Sequence, residues 1–411
     1  MKPTAGRIAA IAFLTRFLQW FSLGLIIPIS NLLKMSKGLS LSTLGFSSAM
    51  VGVTIMVLEI PTGILADRLG RKNTYILSLF FWLAACAAIF AAEGFIAVTL
   101  AFTIYGVSRA LSSGSIDALL IDQYIEIEGE SKLHRLISIG NIGETLGLAA
   151  GALGGGFLPP LWTAMTAAAN QYNGNVAAMG LSVTLLLLIV VLFVSTHGET
   201  IDKSKSITAF LRDTAVVVKK SRILGLIFVS MAVWGLCFSS IETYWQPRLV
   251  EILGTEDSTW LFGILSSLYF LSALLGSVAV PLVIEKTKIN LWVLQLILRL
   301  LNAGFIIVLS IQSGAVGFGI FYLVMFFWNG MANIPEMTML NREIPSEYRA
   351  SILSVTSFTV QLGGACGLLL FGFVAGRASI AAAWQIAAAV FGLSAFLYLA
   401  AWRREKKGRG R

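Results

Sequence analysis

Twelve long apolar runs dominate this chain, and a chain built that way has few folds open to it. They fall at about residues 8–30, 41–66, 73–92, 95–121, 137–158, 176–196, 223–247, 259–284, 290–310, 314–340, 349–375 and 379–402. A hydrocarbon layer of ~30 Å takes roughly 20 helical residues to cross, and every run reaches that length. No water satisfies the backbone in lipid, so a spanning segment is a helix or belongs to a closed barrel. Barrel strands alternate over ~10 residues, whereas these runs are continuous. The expected fold is an all-α membrane protein of 12 transmembrane helices.

Composition agrees. Only 12% of the residues are charged and 57% are hydrophobic, where a soluble domain carries about 25% charged residues. Cys86, Cys237 and Cys366 lie in three different runs without a CxxC pair, so each reads as small core filler. No cofactor and no metal is called for. Lys2 and Arg7 precede the first run, which holds Arg16 and offers no small-residue cleavage site. It reads as a retained first helix rather than a secretory signal.

Basic residues set orientation. Of the 30, the two ends and the even-to-odd connections hold 23, and the opposite connections hold four: Lys34, Lys37, Arg248 and Arg377. Arg16, Arg109 and Arg299 lie inside runs. Both termini are expected on the cytoplasmic side of a bacterial-type inner (plasma) membrane. The net charge of +9 follows from this asymmetry. The tail "RREKKGRGR" at 403–411 reads as a topology anchor, so nucleic acid is not an expected partner.

The longest polar stretch, 197–222, divides the chain into two six-helix bundles, 1–196 and 223–411, the second ending in the basic tail. A short surface helix is expected within it, from Ile207 to Lys219. The halves look duplicated. Pro28 matches Pro247, Asp117 matches Glu336 and Asp122 matches Asn341, each at 219 positions, and Asp67-Arg68 matches Glu285-Lys286 at 218. Such repeats mark secondary transporters, with the substrate site between the halves near the midplane.

Between the second and third runs stands "GILADRLGRK". Gly63 would let its helix approach a neighbour closely, and Gly70 permits a tight reversal. Arg68 and Lys72 hold the connection cytoplasmic, while Asp67 contributes little to topology and calls for a base or a helix N-terminus as partner. With Gly63, Leu65, Asp67, Arg68, Gly70, Arg71 and Lys72 in place, this stretch and the six-plus-six topology resemble the major facilitator superfamily. The resemblance implies the major facilitator fold, two pseudo-symmetric bundles and a rocker-type alternating-access cycle. It also implies a charge network, or latch, in which Asp67 and Arg71 join the fourth run's Asp122 to lock the outward-facing state.

Further resemblances refine this expectation. Arg109, Gly114 and Arg135 resemble the fourth-helix motif associated with proton coupling. A structural Arg–carboxylate pair that only holds helices together is the alternative. Gly143, Gly147, Gly151 and Gly155 resemble the antiporter motif, with Leu148 in place of its proline and Ala152 in place of its last glycine. Close helix packing explains the same stripe.

Several polar groups fall within the runs. In the fourth, Arg109, Ser113 and Asp117 are spaced for one broad face, and an arginine in lipid costs at least ~2.5 kcal/mol unless paired or facing a cavity. Glu144 lies beside the glycine stripe. Trp234, Phe238, Glu242 and Trp245 share a face of the seventh run, where an acid among aromatics could hold an organic cation. The aromatic belt is the alternative for that tryptophan. The family places the first and tenth helices at the cavity, which points to Arg16, Gln19 and Trp20, and to Asn329, Asn333 and Glu336. Glu336 follows Pro335 near a cytoplasmic end and reads as structural or gating. Arg299, on a stripe with Gln295 and Asn302, has no account beyond snorkelling or a lateral opening.

The expected function is secondary active transport of small organic molecules by a monomer: proton-coupled efflux of amphipathic or cationic compounds, as in drug:proton antiporters. Proton-coupled uptake and uniport remain alternatives. A membrane-embedded enzyme or sensor is a remote one, because no HExxH, GxSxG or Walker-type loop is present. Asp117 ranks first as proton carrier, Glu242 second and Glu144 next.

Overall fold

The computed structural model describes residues 4–113, 115–166, 170–196, 221–344 and 349–409, and among them every regular element is helical. A helix α1 (Ala5–Gly24) continues through a 3-10 turn at Ile27–Ile29 into α2 (Ser30–Ser36). Next come α3 (Leu41–Leu69), α4 (Arg71–Ala91), α5 (Gly94–Ser112), α6 (Ser115–Glu128), α7 (Leu133–Thr166) and α8 (Asn173–Phe193). After the 197–222 stretch come α9 (Arg222–Leu253), α10 (Thr259–Thr287), α11 (Leu291–Ser310), α12 (Ala315–Glu343), α13 (Arg349–Arg377) and α14 (Ile380–Arg409). Among the described residues these form 12 spans long and apolar enough to cross a membrane, the first from α1 and α2 and the fourth from α5 and α6. Leu181 and Val316 are about three-quarters exposed, as side chains facing lipid must be. Except for its last two residues the expected linker lies outside the described residues, with the surface helix expected in it.

Contacts divide the chain into two compact units. The first comprises Met1–Leu39, Val53–Lys205 and Glu256–Ser267, and the second Ser40–Gly52, Ser206–Thr255 and Leu268–Arg411. In the first, α1 packs on α7 and α8, and α4 packs on α5 and α8. In the second, α9 packs on α13 and α14, and α11 packs on α12 and α14.

The α1–α7 seam is a glycine seam. A Cβ at Gly143, Gly147, Gly151 or Gly155 would come within 3.0 Å of a carbonyl oxygen of Phe13, Phe17, Phe21 or Leu25 respectively. The stripe read from the sequence is therefore a close helix contact. The second unit repeats it, with Gly363 and Gly367 against the carbonyls of Ala232 and Leu236. Gly63 differs from its expectation. A Cβ there would meet nothing within 4 Å, so it permits no close approach among the described residues.

One sequence expectation about helix continuity also changes. The fourth span is not one helix, since α5 ends at Ser112 and α6 begins at Ser115. Ser112 Oγ donates to Arg109 O at 3.0 Å, and Ser115 Oγ to Ser112 O at 3.1 Å. Ser113 leaves helical geometry, at φ −59° and ψ 116°, and is exposed, so Arg109, Ser113 and Asp117 do not form one continuous helical face. Pro28 sits in the 3-10 turn, whereas Pro247 lies inside an unbroken α9.

Three basic residues cap helix ends. Lys72 Nζ donates to Val191 O (3.2 Å) and Val194 O (2.7 Å) at the end of α8. Lys37, 1% exposed, donates to Phe90 O (3.2 Å) and Ala92 O (3.1 Å) at the end of α4. Arg248 donates to Ser310 O (3.3 Å) and Gln312 O (3.0 Å) past α11. A cation at a helix C-terminus answers its unsatisfied carbonyls. Two of the four basic residues that depart from the orientation pattern, Lys37 and Arg248, thus have a structural use.

Candidate functional site

In the first unit an arginine on α1 gathers acids from two other helices. Arg16 Nε contacts Asp117 Oδ1 of α6 at 2.7 Å, and Arg16 Nη1 contacts Glu144 Oε2 of α7 at 2.8 Å. The three side chains are only 27–31% exposed. The glycine seam puts this cluster together, because it brings α1 against the face of α7 beside Glu144. Sequence spacing paired Asp117 with Arg109. Instead, the break at Ser113 separates them along the chain, and Arg109 lies over the Trp20 ring, 5.7 Å from its centroid. Gln19 Oε1 accepts from the buried Tyr75 hydroxyl at 3.0 Å. No sequence signal marks Tyr75, which stands in an ordinary aromatic-rich run.

The second unit holds a more deeply buried pair. Arg299 on α11 is 2% exposed, and its Nη2 contacts Glu336 Oε1 of α12 at 3.2 Å. The same nitrogen donates to Ser230 Oγ (2.7 Å) and accompanies the Tyr398 hydroxyl (2.6 Å). Nη1 donates to Ser230 O (3.2 Å) and Ser394 Oγ (3.3 Å). Tyr398 donates to Glu336 Oε1, and Gln295 Nε2 to Glu336 Oε2 at 3.4 Å. The guanidinium also lies 4.4 Å from the Phe391 ring centroid. Arg299 neither snorkels nor faces lipid: it is the hub of a polar cluster that answers both its own charge and that of Glu336, as a buried ion requires.

That cluster borders a cavity of about 620 Å³. Asn329, Asn333 and Glu336 of α12 line it together with Trp234 and Gln361. Trp234 Nε1 donates to Asn329 Oδ1 at 2.8 Å, and its ring stacks on Phe238 at 5.2 Å. A smaller cavity of about 190 Å³ shares Trp234 and Gln361 and adds Phe238 and Glu242. Glu242 is exposed there, and among the described residues no side chain pairs with it. Trp245 does not join this wall. It is 3% exposed and packs on Tyr322, ring centroids 5.1 Å apart.

At the α3–α4 connection Gly70 adopts a φ of 87°, a conformation natural to glycine. Arg71 forms an ion pair with Asp122 of α6. Arg68 is exposed, and the Asp67 side chain and Gly114 lie outside the described residues. No group of three metal-ligating side chains occurs among the described residues.

Comparison with known proteins agrees with this architecture. The family profile of the Major Facilitator Superfamily matches residues 11–368. The chain is 21% identical over 394 residues to YxaM of Bacillus subtilis (strain 168), an uncharacterized MFS-type transporter, covering 93% of this chain and 92% of that protein. Its fold is similar to that of the nucleoside transporter NupG, with a TM-score of 0.79 at 15% identity over 96% of this chain and 99% of that one. It is also similar to a bacterial homolog of the human lysosomal transporter Spinster, with a TM-score of 0.79 at 14% identity over 98% of each chain. The 12 spans, the all-helical fold and the profile match lead to one conclusion: this chain belongs to the major facilitator superfamily and is a secondary transporter rather than an enzyme.

Proposed function

We propose that this transporter couples proton movement to the passage of small organic molecules by alternating access, with Asp117 and Glu144 as the proton-binding pair. The observation that carries the reading is the single Arg16 shared between two carboxylates on separate helices. One guanidinium can answer either acid, so protonating one leaves the other still paired. A proton can then enter and leave at the cost of one ion pair rather than of an orphaned charge. The Arg71–Asp122 pair supports the latch role for the α3–α4 connection. A monomer in a bacterial-type inner membrane, with both termini cytoplasmic, completes the proposal.

Efflux of amphipathic cations is the direction and substrate that Glu242 favours. Its unpaired carboxylate beside Trp234 and Phe238 combines charge attraction with ring faces that hold cations. The test is collapse of an imposed pH gradient in everted vesicles on addition of candidate compounds. Wild-type protein dissipates the gradient, and Asp117→Asn with Glu144→Gln abolishes the effect. Undiminished proton exchange by that double variant overturns the assignment.

A further inference from the structure

We infer that the 620 Å³ cavity of the second unit binds a neutral, planar heteroaromatic solute that carries a hydrogen-bond donor and acceptor side by side. The inference goes beyond the transport reading, since it assigns this cavity a solute different from the cation held beside Glu242, and it rests on that reading only for the translocation step after binding.

Charge is the first argument. Two ionisable side chains line the cavity, Arg299 and Glu336, and each is already answered by the other. Both terminal nitrogens of Arg299 are engaged by Ser230, Ser394, Tyr398 and Glu336. An ionic ligand would lose its hydration here without gaining a free counter-charge, which is costly. The occupant is therefore neutral.

Hydrogen bonding is the second. Five carboxamides line the space, Gln295 and Asn302 together with Asn329, Asn333 and Gln361. Among the described residues the side chains of Asn333 and Gln361 have no hydrogen-bond partner, although each carries donors and an acceptor. Asn329 has its oxygen occupied by Trp234 Nε1, so it presents N–H donors. A carboxamide offers donor and acceptor on one rigid plane, and a lactam edge, N–H beside C=O, is its complement.

The third argument is the wall. Trp234 is fixed twice, by the bond to Asn329 and by stacking on Phe238 with an interplanar angle of 15°. A held indole beside unsatisfied amides selects a flat ring over a saturated one. The volume falls in the range of about 300–1,000 Å³ that small-molecule sites occupy.

The experiment is calorimetric titration of the purified full-length protein in liposomes, without a proton gradient. Four probes of similar size separate the chemistries: 4-quinazolinone (a neutral lactam), N-methylquinolinium, quinoline-4-carboxylate and methyl glucoside. The lactam should bind roughly tenfold or more tightly than each of the others, the cation being measured on Glu242→Gln protein, and Asn333→Leu and Gln361→Leu should each weaken it about tenfold. Neither substitution should change thermal stability, because the side chains have no partners to lose. Tighter binding of the anion or the polyol, or of the cation to Glu242→Gln protein, overturns the inference. So does unaltered lactam binding in both variants, or no binding of any probe. Proton flux in the same liposomes judges the coupling proposal separately, so either can fail alone.

Discussion

Asp117 and Glu336 stand 219 positions apart and each meets an arginine, yet the arginines come from non-equivalent spans: Arg16 from the first and Arg299 from the ninth. The acid is duplicated and its counter-ion is not. Asp117 shares a partly open cluster with a second carboxylate, whereas Glu336, at the cavity wall, is held by one guanidinium and a tyrosine. Chemistry that moves a proton suits the first arrangement, and helix cohesion suits the second.

Replacing Arg16 by alanine leaves two carboxylates facing each other in a partly buried site. We expect a stability loss of about 2 kcal/mol, between the values for exposed and buried pairs, and loss of transport. Arg16→Lys should recover most of the stability. Thermal unfolding in detergent, alongside vesicle transport, checks both.

For the buried pair, Arg299→Met should cost about 3–5 kcal/mol by stranding Glu336. Adding Glu336→Gln should restore part of that loss, because the charge left behind is removed. A double-mutant cycle with no coupling between the two positions would contradict the Arg299–Glu336 contact.

The glycine seam supplies a matched pair of substitutions. Gly147→Ala places a methyl within 3.0 Å of the Phe17 carbonyl, so α1 must shift away; overpacking of this kind costs roughly 1–3 kcal/mol. Gly154→Ala meets a single side-chain atom at 3.9 Å and should be near neutral. Comparing melting temperatures of the two variants is sufficient.

At the α3–α4 connection, Asp67→Asn should leave membrane insertion normal and severely lower transport, since topology relies on the basic residues. Asp122→Asn, which opens the Arg71 pair, should change stability by less than about 1 kcal/mol because the pair is half exposed. Transport at the wild-type level in both variants, with matched expression, rules out a latch.

The spans were legible in the sequence because lipid imposes one requirement, length of apolar helix, and each run meets it alone. The glycine stripe was legible too as a packing face, since spacing within one helix suffices to see it. Partners were another matter. Arg16 lies 101 residues from Asp117 and 128 from Glu144, and only the docking of α1 on α7 selects them. Arg109 was nearer in sequence and lost, because α5 ends at Ser112 and no continuous helix carries it into register with Asp117 on α6. Arg299 was visible as a charge out of place, but its partners Ser230 and Tyr398 are drawn from α9 and α14, which no periodicity connects.

Along the α1–α7 seam, the glycines meet the main-chain oxygens of Phe13, Phe17, Phe21 and Leu25. Every amino acid supplies such an oxygen, so much of the grip between these helices does not depend on which side chains α1 carries there. Scaffold and lining are then separately heritable on this helix. Selection can retune what α1 presents to a solute while the joint that holds it survives, and the variation tolerated at these four positions should exceed that at the glycines facing them.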